Sequence, residues 1–469
     1  MKNIPARAVA LVILALAAPL VAPAQAPATT PAPVWAATLD SAISAEMART
    51  MTPGAQIAVV VDGRLAYTRG YGVADIESGR VVTDRTLFRV GSVTKMITAA
   101  TLTQLAADGK LDLQAPISTY VPELAGKRVG AVTTHQLLTH TAGWVDNAVA
   151  YGRMGEGALG EVMRVVSDTL FFTEPGRVIS YSNPGYSMAG YVAERAAKQR
   201  FGTTVDQLVL RNMGMPHATF RPLEALTYDF SQGHEGAPGS RGRIVRPFTE
   251  NTAQWTAGFL FASAGELARF TMALMGGGML DGRRVLAEEA VRRMTTGHQA
   301  VPGTTTTRYG YGLNIGVVGA ERVWQHGGAI NGFDAQVTMF PDRKLAVILI
   351  DNRGGAPMRG LIDLVAQRAA GIAPATPPTL PAEREGTAAE RAQVVGIYAQ
   401  GETKVTIVER NGALRFLQGT QDLPVRLVGD ERIVVIDSPT QKDTLLLVLN
   451  AGGRVEFLHS RLRALARQP

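Results

Sequence analysis

Two hydrophobic periods alternate along this chain, and the points where one gives way to the other divide it. From Thr38 to Arg49 apolar residues recur at helical spacing, which predicts an amphipathic helix. From Ala55 to Gly72 the period drops to that of a strand on either side of Asp62-Gly63, the signature of a β-hairpin. Met96, Ile97, Ala99, Ala100, Leu102 and Leu105 restore the helical spacing, and Asp108-Gly109 stops it after Ala107. A helix over Glu266–Met275 is announced by the capping box Ser263-x-x-Glu266; Gly276-Gly-Gly278 is its stop rather than a phosphate cradle. Residues 335–340 and 345–350 read as strands of a hairpin turned at Pro341-Asp342, with a further strand at 322–326. A helix from Met358 to Ala370 follows. Between about 92 and 300 helix and loop dominate. The expected architecture is α/β: an antiparallel sheet flanked by helices, a helical lobe, and the site between them.

Beyond Gly371 the pattern changes. Pro374, Pro377, Pro378 and Pro381 mark residues 371–390 as a linker. Residues 391–469 then hold short alternating runs such as Lys404–Glu409, Arg432–Ile436 and Thr444–Leu449, with Asn411-Gly412 and Gly452-Gly453 as turns. This predicts a small all-β domain, a barrel or sandwich, with Tyr398 and Phe416 in its core and no evident chemistry. A chain ending near Gly371 is therefore expected to stay folded and at least partly active. A length of 469 residues fits two folded units better than one.

Composition narrows the partners. Lys2 and Arg7 precede an apolar stretch from Ala8 to Leu16, and small residues follow to Ala26. Residues 1–24 are thus expected to be a secretory signal peptide cut after Ala24, followed by a Pro/Ala/Thr linker over 25–36 and a main domain over 37–370. The destination is secreted or periplasmic, with no stable membrane span after cleavage. There is no cysteine, hence no disulfide. The net charge of +7 comes from arginines spread along the chain, which argues against a nucleic-acid partner. The seven histidines show no ligand spacing, so neither metal nor cofactor is expected; His135 and His140 are read as hydrogen-bonding at a helix end.

Three short motifs carry the chemistry: Ser92-Val-Thr-Lys95, Tyr181-Ser-Asn183 and His326-Gly-Gly328. A serine hydroxyl needs a neighbouring base, and a lysine serves only when desolvation or a nearby cation lowers its pKa. Positions i and i+3 share a helix face, so a helix starting near Ser92 brings Ser92 and Lys95 together. Such a helix start also supplies free N–H groups for a developing oxyanion. The competing reading is a capping serine followed by a solvated lysine. Pro175-Gly176 and Pro184-Gly185 bracket Tyr181 and Asn183 in a displayed loop, with a helix from Tyr186. The glycines after His326 let a substrate backbone approach the end of a strand at a sheet edge. Gly185-Tyr-Ser-Met-Ala189 misses the nucleophile-elbow pattern by its last residue, which argues against an α/β-hydrolase.

With these motifs in this order the chain resembles the β-lactamase-related serine hydrolases, which include class C β-lactamases, low-molecular-weight penicillin-binding D-Ala peptidases, D-aminopeptidases and class VIII carboxylesterases. His135–Gly143, Ala257–Phe270 and Tyr309–Leu313 are similar to further family segments, and the likeness spans roughly residues 37 to 370. The C-terminal unit resembles the lipocalin-like modules of some members. The resemblance implies that Ser92 is acylated and that Lys95 and Tyr181 share the proton traffic. It further implies that Asn183 orients substrate or Lys95, and that His326, Gly327, Gly328 and Ala329 line the substrate strand. The backbone N–H groups of Ser92 and Ala329 would form the oxyanion hole. His-Gly-Gly stands where class C β-lactamases usually carry Lys-Thr-Gly. An imidazole has no fixed charge at neutral pH, so this site suits small peptides, amides or esters, D-amino-acid compounds among them, better than β-lactam carboxylates. A true β-lactamase, and a silent protein that only binds cell-wall peptides, are the alternatives.

Overall fold

The computed structural model describes residues 33–147, 151–237, 239–355, 358, 360–374, 381–438, 441–460 and 462–469. The predicted signal peptide lies outside the described residues. The main sheet has eight strands: β1 (Gly54–Val61), β2 (Arg64–Gly72), β3 (Gln299–Ala300), β4 (Arg308–Tyr309), β5 (Asn314–Val318), β6 (Glu321–Ile330), β7 (Phe333–Phe340) and β8 (Leu345–Asp351), ordered β2-β1-β8-β7-β6-β5-β4-β3. The pairings among them are antiparallel. Asp62 and Gly63 both take positive φ, as the tight β1–β2 turn requires.

The central strands are apolar on both faces because both faces are covered. Ala58 and Val60 of β1 and Ala346, Ile348 and Ile350 of β8 enter the core shared with the helical lobe. Their alternates Ile57, Val59, Val347 and Leu349 pack under the helices Ala36–Thr50 and Gly360–Ala370. The Thr94–Ala107 helix is buried nearly all round rather than on one stripe, because helices Trp255–Gly258, Asn183–Ala197 and Glu288–Thr295 all lie against it. The helix over Ala264–Met275 has both reciprocal bonds of its Ser263/Glu266 capping box.

The C-terminal unit is a closed barrel of eight strands: β9 (Gly396–Gln400), β10 (Thr403–Arg410), β11 (Ala413–Gln418), β12 (Gln421–Val428), β13 (Arg432–Ser438), β14 (Gln441–Leu449), β15 (Val455–Ser460) and β16 (Arg463–Arg467). Each strand pairs with the next, and β16 pairs back to β9. Tyr398, Val405, Ile407, Leu414, Phe416, Val425 and Leu458 fill its core. Part of the segment read as linker is ordered against the barrel: Glu383–Arg384 pairs with β12, and a helix runs over Ala388–Val394 behind a Thr387/Glu390 capping box.

The barrel also reaches the main domain. The β15–β16 hairpin and its flanks pack on residues 178–181: Val178 meets Phe457 and Ala464, and Ile179 and Tyr309 cluster with Leu462. Among the described residues, no helix is long and apolar enough to cross a membrane.

Candidate active site

Ser92 lies in a 3₁₀ turn, Gly91–Val93, that leads into the Thr94–Ala107 helix. Neither element start carries a side-chain cap, so Ser92 is not a capping serine. Its Oγ sits 3.3 Å from the Nζ of Lys95, which in turn lies 4.6 Å from the centre of the Tyr181 ring. Lys95 is fully buried, and its Nζ donates to Asn183 Oδ1 at 2.7 Å and to the Ala257 carbonyl at 2.6 Å. Burial pulls its pKa down to about 7; Asp146 opposes that shift and Arg463 adds to it. A neutral amine has two N–H groups, and two acceptors take them. The lone pair is then left for the Ser92 proton. Burial pushes Tyr181 well above the usual phenol range, partly offset by the neighbouring Ser92 hydroxyl, so the phenol stays protonated at neutral pH.

Tyr181-Ser-Asn183 is held on three sides. Ser182 caps the Asn183–Ala197 helix, with its Oγ accepting from Gly185 N, and Pro184 suits the first turn. The helix therefore begins three residues before the predicted Tyr186. The Ser182 N–H donates to His140 Nδ1 at 3.1 Å, and the Tyr181 N–H donates to the Leu462 carbonyl at 2.6 Å. Ser180 Oγ accepts from Gln400 Nε2 at 2.8 Å and from Ala464 N at 3.2 Å. The Tyr181 backbone is thus clamped by the barrel.

The third motif lies within β6, which runs through His326 to Ile330 and does not end at the histidine. β5 pairs only with Glu321–Gln325, while β7 pairs on to Ile330. Gly327–Ile330 consequently extend beyond the β5 pairing inside a larger sheet. Glycines bring this stretch against the serine turn. A Cβ on Gly328 would lie 2.0 Å from the Val90 carbonyl oxygen, and one on Gly91 2.6 Å from Ala329 N. Gly91 also has φ +52°. An open depression of about 550 Å³ borders Ala329 and Ile330 and reaches Glu235.

The resemblance implied that His326 lines the substrate strand. Its ring is buried, with Nε2 3.1 Å from the Tyr309 hydroxyl and Nδ1 2.6 Å from the Gly327 carbonyl. Tyr309 also meets His140 Nε2 at 3.2 Å. Because His140 Nδ1 accepts a backbone N–H, its Nε2 carries the proton, and donation runs from His140 to Tyr309 to His326 Nε2. Nδ1–H of His326 is then the group that faces the Gly327 carbonyl.

Sequence reasoning missed Asp146, Arg463, Tyr309 and the reach of His140. Asp146 Oδ1 accepts both the backbone N–H and the Nδ2 of Asn183, at 3.0 and 2.9 Å. Arg463, from the start of β16, donates to Asp146 Oδ2 and lies 5.2 Å over the Tyr181 ring. The all-β unit read as chemically silent therefore borders the site. Among the described residues no group of three or more His, Cys, Asp or Glu could hold a metal.

The sequence profile of the beta-lactamase family matches residues 39–371, and the chain belongs to that family. Esterase EstB of Burkholderia gladioli is 34% identical over 220 residues, 43% of this chain and 56% of the relative. The chain thus spans little more than half the length of that relative. A D-aminopeptidase of Gluconobacter oxydans is 27% identical over 372 residues, 79% of this chain and 67% of the relative. The crystal structure of SurE superposes over 92% of this chain and 99% of its own, with a TM-score of 0.77 at 27% identity. That coverage takes in the barrel as well as the family domain.

Ending the chain near Gly371 should leave both hydrophobic cores of the main domain, yet lower turnover by at least roughly a hundredfold, because small displacements of a reacting constellation are that costly. Circular dichroism and turnover measured together check this; full activity in the truncated chain would show that the barrel clamp is dispensable.

Proposed function

We propose that this chain is an exported serine hydrolase that works through an acyl-enzyme on small esters or D-amino-acid amides. The observation that carries the proposal is Lys95: buried, with its Nζ donating to Asn183 and Ala257 and lying 3.3 Å from Ser92 Oγ, so that the neutral amine has its lone pair left for the serine proton. Ser92 passes its proton to Lys95 and attacks the substrate carbonyl. The backbone N–H groups of Ser92 and Ala329 receive the oxyanion; the close approach of Gly91 to Ala329 and of Gly328 to Val90 and Ser92 N brings them into one small space. The proton leaves Lys95 through the Tyr181 hydroxyl to the departing alcohol or amine. Water then repeats the steps on the acyl-serine.

The inward-turned His326 supplies no fixed charge for a β-lactam carboxylate, which supports ester and amide substrates over β-lactams. The basic, apolar and small-residue order of residues 1–24 supports export, and N-terminal sequencing of the periplasmic product checks it. Kinetics on a p-nitrophenyl ester, a D-alanyl anilide and nitrocefin test the substrate class. Ester or anilide turnover should exceed nitrocefin turnover by at least roughly tenfold, as expected when a site lacks one charge-assisted contact. Nitrocefin in the lead would make a true β-lactamase the better reading. Absence of turnover and of a covalent adduct would favour a silent binding protein.

A further inference from the structure

We infer that Arg463, delivered by the barrel, is a positioning residue for the acylation step: it holds and neutralises Asp146, which in turn fixes the Asn183 amide toward Lys95. This rests on the reading of Ser92 and Lys95 given above. Asp146 has a side chain only 4% exposed, whereas that of Arg463 is 55% exposed. Arg463 Nε and Nη2 both donate to Asp146 Oδ2, at 2.8 and 2.5 Å. Asp146 Oδ1 takes two N–H groups from Asn183. A carboxylate can only accept, so Asn183 must turn its NH₂ toward Asp146 and its carbonyl toward Lys95 Nζ, 2.7 Å away. Were the amide reversed, its oxygen would face a carboxylate and its NH₂ would face an amine that must donate.

Charge gives the second half of the argument. A buried carboxylate without a counter-ion is costly, and here it would be relieved by holding a proton on Lys95. That would remove the base. The groups around Lys95 come from several elements. Ser92 Oγ, Asn183 Oδ1 and the Ala257 carbonyl touch its Nζ, and the Tyr181 and Tyr186 rings lie 4.6 and 5.3 Å away. His140, Tyr309 and His326 form the next layer. Burial holds His140 neutral and the three phenols protonated at neutral pH. Among the described groups that act on Lys95, Asp146 and Arg463 are a fixed negative and a fixed positive charge of opposite effect. Arg463 is thus the cation that lets Asp146 orient Asn183 without protonating the base.

The test is the pH dependence of Ser92 acylation by a p-nitrophenyl ester, followed in the full-length chain and four variants. Arg463→Gln should move the acid limb to higher pH by roughly one unit, because it leaves Asp146 uncompensated. Asp146→Asn should move it to lower pH. The double variant should return near the wild-type limb with a lowered plateau, since Asn183 is no longer oriented. Arg463→Lys should keep the limb. Equal losses of plateau rate with no displacement of the limb, or displacement of both single variants in one direction, would reduce Arg463 to a structural clamp and overturn the inference. Should Arg463→Gln fail to fold, the downward shift in Asp146→Asn and the unmoved limb in Arg463→Lys carry the decision. Intact-mass detection of the acyl group on wild-type Ser92 separates the two levels: without it the acyl-serine reading itself falls, whatever the limbs do.

Discussion

Ser92→Ala should lower turnover by at least roughly 10⁴-fold, on the scale seen when a covalent nucleophile is removed, while the fold melts as before. Ser92 makes no capping bond, so little stability depends on its hydroxyl. The loss is chemical: Lys95 would still sit beside the position, but no oxygen would be there to acylate. Intact-mass analysis after exposure to a slow acylating ester should show one adduct on the wild type and none on the variant. An adduct that persists in Ser92→Ala would mean that a different residue is acylated and would sink the assignment.

Lys95→Ala should be nearly as severe, and Tyr181→Phe severe but smaller. The double variant should fall well short of the product of the single losses, because residues that handle one proton fail together. Multiplying losses would show independent roles. The same pair sets the pH profile. Burial draws Lys95 to about 7, and only its neutral form can take the Ser92 proton. Acylation should therefore rise as pH climbs through 7 and level off above it. A rate that instead falls over that interval would require an ammonium and exclude Lys95 as the base.

Local signals made much of this molecule readable from its residues. The hairpin at Asp62-Gly63, the capping box at Ser263 and the close pair Ser92/Lys95 each depend on neighbours a few positions away. The errors lie where distant segments decide. β6 continues through Gly327-Gly328 because β7 pairs along it and the serine turn needs its bare backbone. β12 carries Pro424 and still pairs with both β11 and β13, although on sequence alone a proline argues against such a strand. Asp146 lies in an irregular loop, and its partner Arg463 is 317 positions away among many scattered arginines. No period or spacing joins two such residues. The link between His140, Tyr309 and His326 was missed for the same reason.

The filled interior of the barrel has an evolutionary consequence. Tyr398, Ile407, Leu414 and Phe416 occupy its centre, so substitutions there affect durability. The tip between β15 and β16 is what borders the chemistry. The residues that keep the module folded and the residues that touch the neighbouring domain are thereby different parts of one module. A lineage can rewrite a few residues at the rim while the interior, and the domain beside it, are inherited unchanged.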